Sequence, residues 1–265
     1  MTILDQIISR KREEVAERKF AATPTELRGL PLFAAPRRSL AYALELPGSS
    51  GIIAEFKRKS PSKGAFVHEL ATPGIVVKAY DEYGAAGISV LTDGPYFGGS
   101  LQDLADTRAL VEAPLLRKDF IIDAYQLLEA RAYGADVVLL IAAVLSPEQV
   151  RELSAQAKDL ELEVLLELHS ERELEHICSD VTMVGINNRN LKDFAVDLDH
   201  SVRLAKEIPS GKIKIAESGI QTPDDVLYLR KQGFEGFLIG ERFMKDPDPA
   251  GAFAAFAGEL KKQAL

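Results

Sequence analysis

Short apolar runs recur along the chain at residues 52–56, 88–91, 115–116, 137–141, 164–168, 183–186, 213–216 and 237–239. The first, opening at Gly51, is bounded by glycine and reads as a strand buried on both faces. Between and after the runs lie helical patterns at 73–83, 101–111, 124–133, 147–158, 171–178, 198–207, 223–232 and 249–261. Several of these open with Thr-Pro or Ser-Pro, a capping residue followed by proline in the first turn. Glycine-bearing corners such as Gly84-Ala85-Ala86-Gly87 and Tyr133-Gly134-Ala135-Asp136 introduce most of the strands. Strand and helix alternating eight times predicts an α/β fold, a closed (β/α)8 TIM barrel, with a doubly wound open sheet as the alternative. No GxGxxG follows the first strand, which weighs against the open sheet.

Upstream of the first strand, residues 3 to about 20 set Ile3, Leu4, Ile7, Ile8 and Val15 on an apolar stripe. Arg10, Lys11, Arg12, Glu13, Glu14, Glu17, Arg18 and Lys19 form its charged back. Residues 23–50, punctuated by Pro24, Pro31, Pro36, Pro47 and Gly48, read as linking structure with one short helix near 39–45. Residues 1–50 are therefore an N-terminal helical extension expected to pack across the mouth or base of a barrel spanning 51–265, all within one domain.

The length of 265 residues suits one eight-stranded barrel, which typically needs ~250. A net charge of -8 argues against a general nucleic-acid or membrane binder. The lone Cys178 rules out a disulfide framework or CxxC knuckle, and the four histidines lack HExxH or paired-ligand spacing, so no metal is expected. The chain has no apolar window of about eighteen residues, and Met1 to Asp5 begin a charged helix without a signal peptide's apolar core. A cytoplasmic protein is expected.

Candidate chemistry stands where the strands end. Glu55 and Lys57 are two residues apart and so share a face, which in a parallel barrel points into the mouth at the carboxyl ends. The other ends carry Thr92 and Asp93, Lys118 and Asp119, Ala142, Glu167 and His169, Asn187 and Arg189, Glu217 and Ser218, and Gly240. A buried charge without a partner costs several kcal/mol, so this concentration points to chemistry, with a layer of structural ion pairs as the alternative. Ser218-Gly219 with Gly240 matches the place where barrels bind phosphate through backbone amides. Asn187-Asn188-Arg189 offers an amide and a forked guanidinium for a carboxylate or hydroxyl. The stretch Ser60-Pro61-Ser62-Lys63-Gly64 reads as a positively charged lid, and Phe97 and Phe120 as aromatic walls or plain core. His169 reads as a positioning or core histidine, and Cys178 as inert.

Five motifs, in this order, resemble the indole-3-glycerol-phosphate synthase family, in its monofunctional form. They are Ile53-Ala54-Glu55-Phe56-Lys57-Arg58-Lys59-Ser60-Pro61-Ser62, Leu116-Arg117-Lys118-Asp119-Phe120, Glu167-Leu168-His169, Gly185-Ile186-Asn187-Asn188-Arg189-Asn190-Leu191 and Ala216-Glu217-Ser218-Gly219-Ile220. The resemblance implies a lyase of tryptophan biosynthesis that closes, decarboxylates and dehydrates 1-(2-carboxyphenylamino)-1-deoxyribulose 5-phosphate without a cofactor. It implies Lys118 as the acid at the ketone, Glu167 as base, and Lys57 as second acid or anchor, with Glu55 and Glu217 tuning the lysines. Asn187 is expected to hold a hydroxyl, Arg189 and Ser60 the carboxylate, and Ser218, Gly219, Gly240 and Lys57 to lie near the phosphate. Phe97, Phe120 and Leu191 complete the expected substrate contacts. At Gly240-Glu241-Arg242 a short helix is expected, with the Glu241 N–H toward phosphate and its carboxylate turned outward to Arg242 or solvent. The implied partner is a phosphorylated small molecule, with no nucleic acid, membrane or obligate protein partner. A Schiff-base aldolase, phosphoribosylanthranilate isomerase and a non-catalytic phosphosugar binder are the rival readings.

Overall fold

The computed structural model describes residues 2–61, 64–66, 72–189 and 197–263. Eight parallel strands, β1 (Ile52–Phe56), β2 (Gly87–Leu91), β3 (Leu115–Lys118), β4 (Val137–Ile141), β5 (Glu163–Leu168), β6 (Met183–Asn187), β7 (Ile213–Glu217) and β8 (Gly236–Ile239), close into a barrel. Each strand pairs with its sequence neighbours, and β8 closes the ring on β1 with Ile53 opposite Leu238. The closed barrel, not the open sheet, is the fold.

Alternation along β1 divides the core. Ile52, Ala54 and Phe56 pack outward under the helices, whereas Ile53 joins Leu116, Leu139, Leu165, Met183 and Ile215 inside the barrel. The same period carries Glu55 and Lys57 to the interior side and up to the mouth, where both line a cavity.

The helices are α1 (Ile3–Ala21), α2 (Pro24–Arg28), α3 (Leu40–Glu45), α4 (Pro73–Glu82), α5 (Gly94–Phe97), α6 (Leu101–Arg108), α7 (Ala124–Ala132), α8 (Pro147–Asp159), α9 (Leu198–Ala205), α10 (Pro223–Lys231), α11 (Glu241–Met244) and α12 (Pro249–Gln263). Two expectations are corrected here. The helix expected over 171–178 is a 3-10 turn, Glu171–His176, whose buried His176 ring is held by the Leu145 carbonyl. The third strand runs on past its apolar pair because Arg117 is itself fully buried, with partners in Asp119, Glu129 and the Gln126 carbonyl.

The extension covers both ends of the barrel. Thr2 caps α1 in a reciprocal capping box with Asp5, and Ile3, Leu4 and Ile7 then line the cavity at the mouth. At the opposite end Leu40 and Leu44 of α3 plug the base, joining the interior cluster. Glu163 at the start of β5 fixes the plug by accepting the N–H groups of Leu40 and Ala41, at 2.8 and 3.1 Å. The segment between α1 and β1, expected to hold one short helix, also contains α2 and a 3-10 turn, Pro31–Ala34. Lys11, read as part of the charged back of α1, is buried at 1% exposure.

Candidate active site

The carboxyl ends of the strands surround a cavity in which two lysines and three glutamates meet. Lys57 Nζ lies 2.6 Å from Glu55 Oε1. Across the mouth, Lys118 Nζ lies 3.2 Å from Glu167 Oε2 and 3.9 Å from Glu217 Oε2. Asn187 donates from Nδ2 to Glu167 Oε1 at 3.1 Å, and His169 Nε2 stands 3.2 Å from the same oxygen. Neither ring nitrogen of His169 has an aligned hydrogen bond within the described residues.

These ionisable groups set one another's protonation. Burial alone would lower the Lys118 pKa, but Glu167, Glu217 and Glu55 outweigh it and raise it. Burial pushes Glu167 up, and Lys118, His169 and the Asn187 hydrogen bond reverse this, leaving Glu167 below the ordinary carboxylate range. Glu217 is driven the other way: burial and the neighbouring Glu167 charge raise it well above that range, against the pull of Lys118. The cluster thus favours a charged Lys118 beside a charged Glu167, while Glu217 keeps its proton to higher pH than an ordinary carboxyl.

Two glycines make room for these side chains. A Cβ on Gly185 of β6 would stand 2.1 Å from Glu217 Oε1, and one on Gly240 would stand 2.6 Å from Glu55 Oε1. Strand β7 is followed by two left-handed residues, Ser218 at φ 66° and Gly219 at φ 80°. Ser218 is not glycine, so its backbone carries strain that its surroundings must hold. Asn188 does so: its Nδ2 donates to the carbonyls of Glu217 and Ser218, at 2.9 and 2.8 Å. Ser201 in turn donates to Asn188 Oδ1.

The apolar lining of the cavity includes Phe97 and Phe120, whose ring centroids are 6.1 Å apart, and Leu4 and Ile7 of α1. Ser60 stands on the rim with Pro61. Arg189 reaches from the end of β6 to Glu241, Nη2 to Oε2 at 2.7 Å.

The fold thus brings together Glu55, Lys57, Ser60, Phe97, Lys118, Phe120, Glu167, Asn187, Arg189, Glu217, Ser218, Gly219, Gly240 and Glu241 around one cavity. Leu191, Ser62 and Lys63 lie outside the described residues. The Glu241 expectation is corrected in part. Helix α11 begins at Glu241 as expected, but the carboxylate faces the cavity and pairs with Arg189. The Arg242 guanidinium donates from Nε to the Gln221 carbonyl at 3.2 Å. Sequence reasoning also missed the burial of Lys11 and the supporting roles of Asn188 and Gly185. Both stood inside a motif already singled out, Gly185 as a glycine within its strand.

Among the described residues, no helix is long and apolar enough to cross a membrane, and no cluster of three or more His, Cys, Asp or Glu could hold a metal ion. Cys178 is a free, half-buried thiol outside the cavity.

Comparison with known proteins places this geometry in context. Residues 4–256 match the family described as Indole-3-glycerol phosphate synthase. The chain is 48% identical over 258 residues to the indole-3-glycerol phosphate synthase of Bacteroides thetaiotaomicron, covering 96% of this chain and 97% of that protein. It is 46% identical over 265 residues to that of Salinibacter ruber, covering 99% and 97%. The tryptophan synthase alpha-subunit of Pyrococcus furiosus shares the barrel fold at a TM-score of 0.60 and 16% identity, over 80% of this chain and 97% of that one. A family match across nearly the whole chain and relatives at this identity establish that the chain belongs to the indole-3-glycerol phosphate synthase family, the carboxy-lyases of tryptophan biosynthesis.

Proposed function

We propose that this single-domain barrel closes the indole ring of 1-(2-carboxyphenylamino)-1-deoxyribulose 5-phosphate, with Lys118 and Glu167 carrying the acid and base steps. The observation that carries the reading is Lys118, an ammonium held between Glu167 and Glu217 at the barrel mouth. As the ring carbon bearing the carboxylate attacks the ketone carbon, negative charge develops on the ketone oxygen, and Lys118 donates the proton that makes it a hydroxyl. Breaking the ring–carboxylate bond then releases carbon dioxide, and its electron pair returns to the ring. The new hydroxyl leaves as water with a second proton, for which Lys57 is the donor. Glu167 takes the proton from the carbon beside the ring nitrogen, completing the indole. Two protons are given and one is taken, matching the loss of one carboxylate charge as neutral carbon dioxide.

Recognition divides along the cavity. The Ser218-Gly219 turn, Gly240 and the start of α11 suit the phosphate. The Phe97 and Phe120 walls suit the aryl ring. Arg189 and Ser60 suit the carboxylate, and Asn187 a hydroxyl. A Schiff-base mechanism is disfavoured because the carboxylates keep Lys118 protonated, and the free amine is the nucleophile. Adding the anthranilate-derived ribulose phosphate and following indole fluorescence tests the reading. Growth of indole emission with release of carbon dioxide is expected; trapping of substrate on the enzyme by borohydride, without indole, would overturn it.

A further inference from the structure

Helix α1 buries a positive charge. Lys11 Nζ lies 2.9 Å from Asp93 Oδ2, 2.9 Å from Asp119 Oδ1 and 2.8 Å from Glu14 Oε2, and its side chain is wholly withdrawn from solvent. Taking an ammonium out of water is costly, and apolar residues such as Ile7, Ile8 and Val15 already dock this helix. Burial opposes the charge, but Asp119 and Asp93 outweigh it, so Lys11 stays an ammonium.

The two aspartates explain the arrangement, because each also holds an aromatic wall of the cavity. Asp93 accepts the Tyr96 N–H at 2.9 Å and so caps α5, the short helix that ends in Phe97. Asp119 accepts the Phe120 N–H at 2.8 Å through the same oxygen that faces Lys11. Its other oxygen is taken by Arg117 and by the Thr92 hydroxyl, at 2.9 and 2.7 Å, so the carboxylate has little freedom to shift. On α1, Ile7 and Leu4 precede Lys11 by four and seven residues, which puts them on its face, and both line the cavity. One ammonium is thus tied to the roof and to both walls of the apolar side.

We propose that Lys11 is a positioning residue that sets the aryl-binding side of the cavity, holding the α1 roof against the Phe97 and Phe120 walls without touching substrate. The inference rests on the proposed ring closure. It differs from a plain stabilising clamp in what it predicts. The roof and walls grip an aryl ring equally before and during the reaction, so loosening them weakens binding and leaves turnover by the folded enzyme nearly unchanged. A clamp that only stabilises would instead lower the folded fraction, and hence apparent kcat, at constant KM.

The test compares wild type with Lys11→Met by steady-state kinetics and by amide hydrogen exchange on the intact enzyme. The expected result is a KM raised about tenfold or more, with kcat within about threefold of wild type. Exchange should quicken in α1 and around Phe97 and Phe120, but not in the barrel strands. An unchanged KM with a reduced kcat overturns the proposal. Should Lys11→Met not fold, Asp93→Asn, which removes one partner's charge and keeps its shape, gives the same readout with an expected rise in KM of about threefold. An unchanged KM in folded Asp93→Asn overturns the proposal equally. Wild-type turnover separates the two readings. If wild type forms no indole and does not bind the substrate with its ketone reduced to an alcohol, the ring-closure reading has failed. If wild type works and neither variant moves KM, only the role of Lys11 has failed.

Discussion

Lys118 Nζ stands 3.2 Å from Glu167 Oε2, so the acid and the base of the proposed reaction are neighbours across the barrel mouth. Each holds the other in its charged form. Lys118→Ala is expected to lower kcat by a hundredfold or more, the range of a positioned general acid, while substrate binding changes little. It should also raise the Glu167 pKa, since the Coulombic partner that depresses it is gone. Steady-state kinetics together with binding of the reduced substrate checks this; turnover above about a tenth of wild type would remove Lys118 from the acid role.

Glu167→Gln keeps the shape of the side chain and its hydrogen-bonding oxygen but accepts no proton. Ring closure and loss of carbon dioxide should therefore outrun indole formation. Single-turnover mixing that follows both products reads this directly. Equal slowing of both would reassign Glu167 to orienting Lys118.

Glu217 holds its proton to a pH above the ordinary carboxylate range, so its amide analogue should be a close substitute below the pH at which it ionises. Glu217→Gln should keep kcat/KM within about tenfold there, while changing the limb of the pH profile along which wild-type Glu217 ionises. Stability supplies a second measure. A carboxyl whose folded-state pKa is raised binds its proton more tightly in the folded state than in the unfolded chain. Stability therefore falls as pH rises from the ordinary carboxylate range through the raised pKa. Urea unfolding across that window should show a shallower fall in Glu217→Gln than in wild type. Matching slopes would mean that Glu217 is ionised in the fold.

Gly185→Ala is the smallest change expected to disturb the site. The new Cβ would lie 2.1 Å from Glu217 Oε1 and 3.2 Å from Leu165 Cδ1, so the Glu217 side chain must shift from its present position beside Lys118. We expect kcat to fall at least about tenfold, with a stability loss of about 1–3 kcal/mol typical of overpacking. Chemical denaturation and kinetics on one preparation check both values. An unaffected kcat would show that the position of Glu217 is not critical.

The order of the elements was legible in the chain because strands buried on both faces need continuous apolar runs, and helices announce their starts with capping residues and proline. The same logic located the strand ends, and hence Glu55, Lys118, Glu167 and Glu217, since a charge directly after a buried run has few other uses. Arg117 and Lys11 escaped this reading for the opposite reason. A charged residue is assigned to solvent until its partners are known, and some of these partners, Asp93 and Asp119 for Lys11 and Glu129 for Arg117, come from other elements of the chain. The Glu241 carboxylate turned inward because Arg189, 52 residues earlier, reaches across the mouth to it. Local sequence determined which residues end the strands and which way each helix begins. Which charges meet, which carboxyl keeps its proton, and which end of the barrel the first helix covers depended on tertiary structure, because pairing and desolvation arise only when distant segments share the same space.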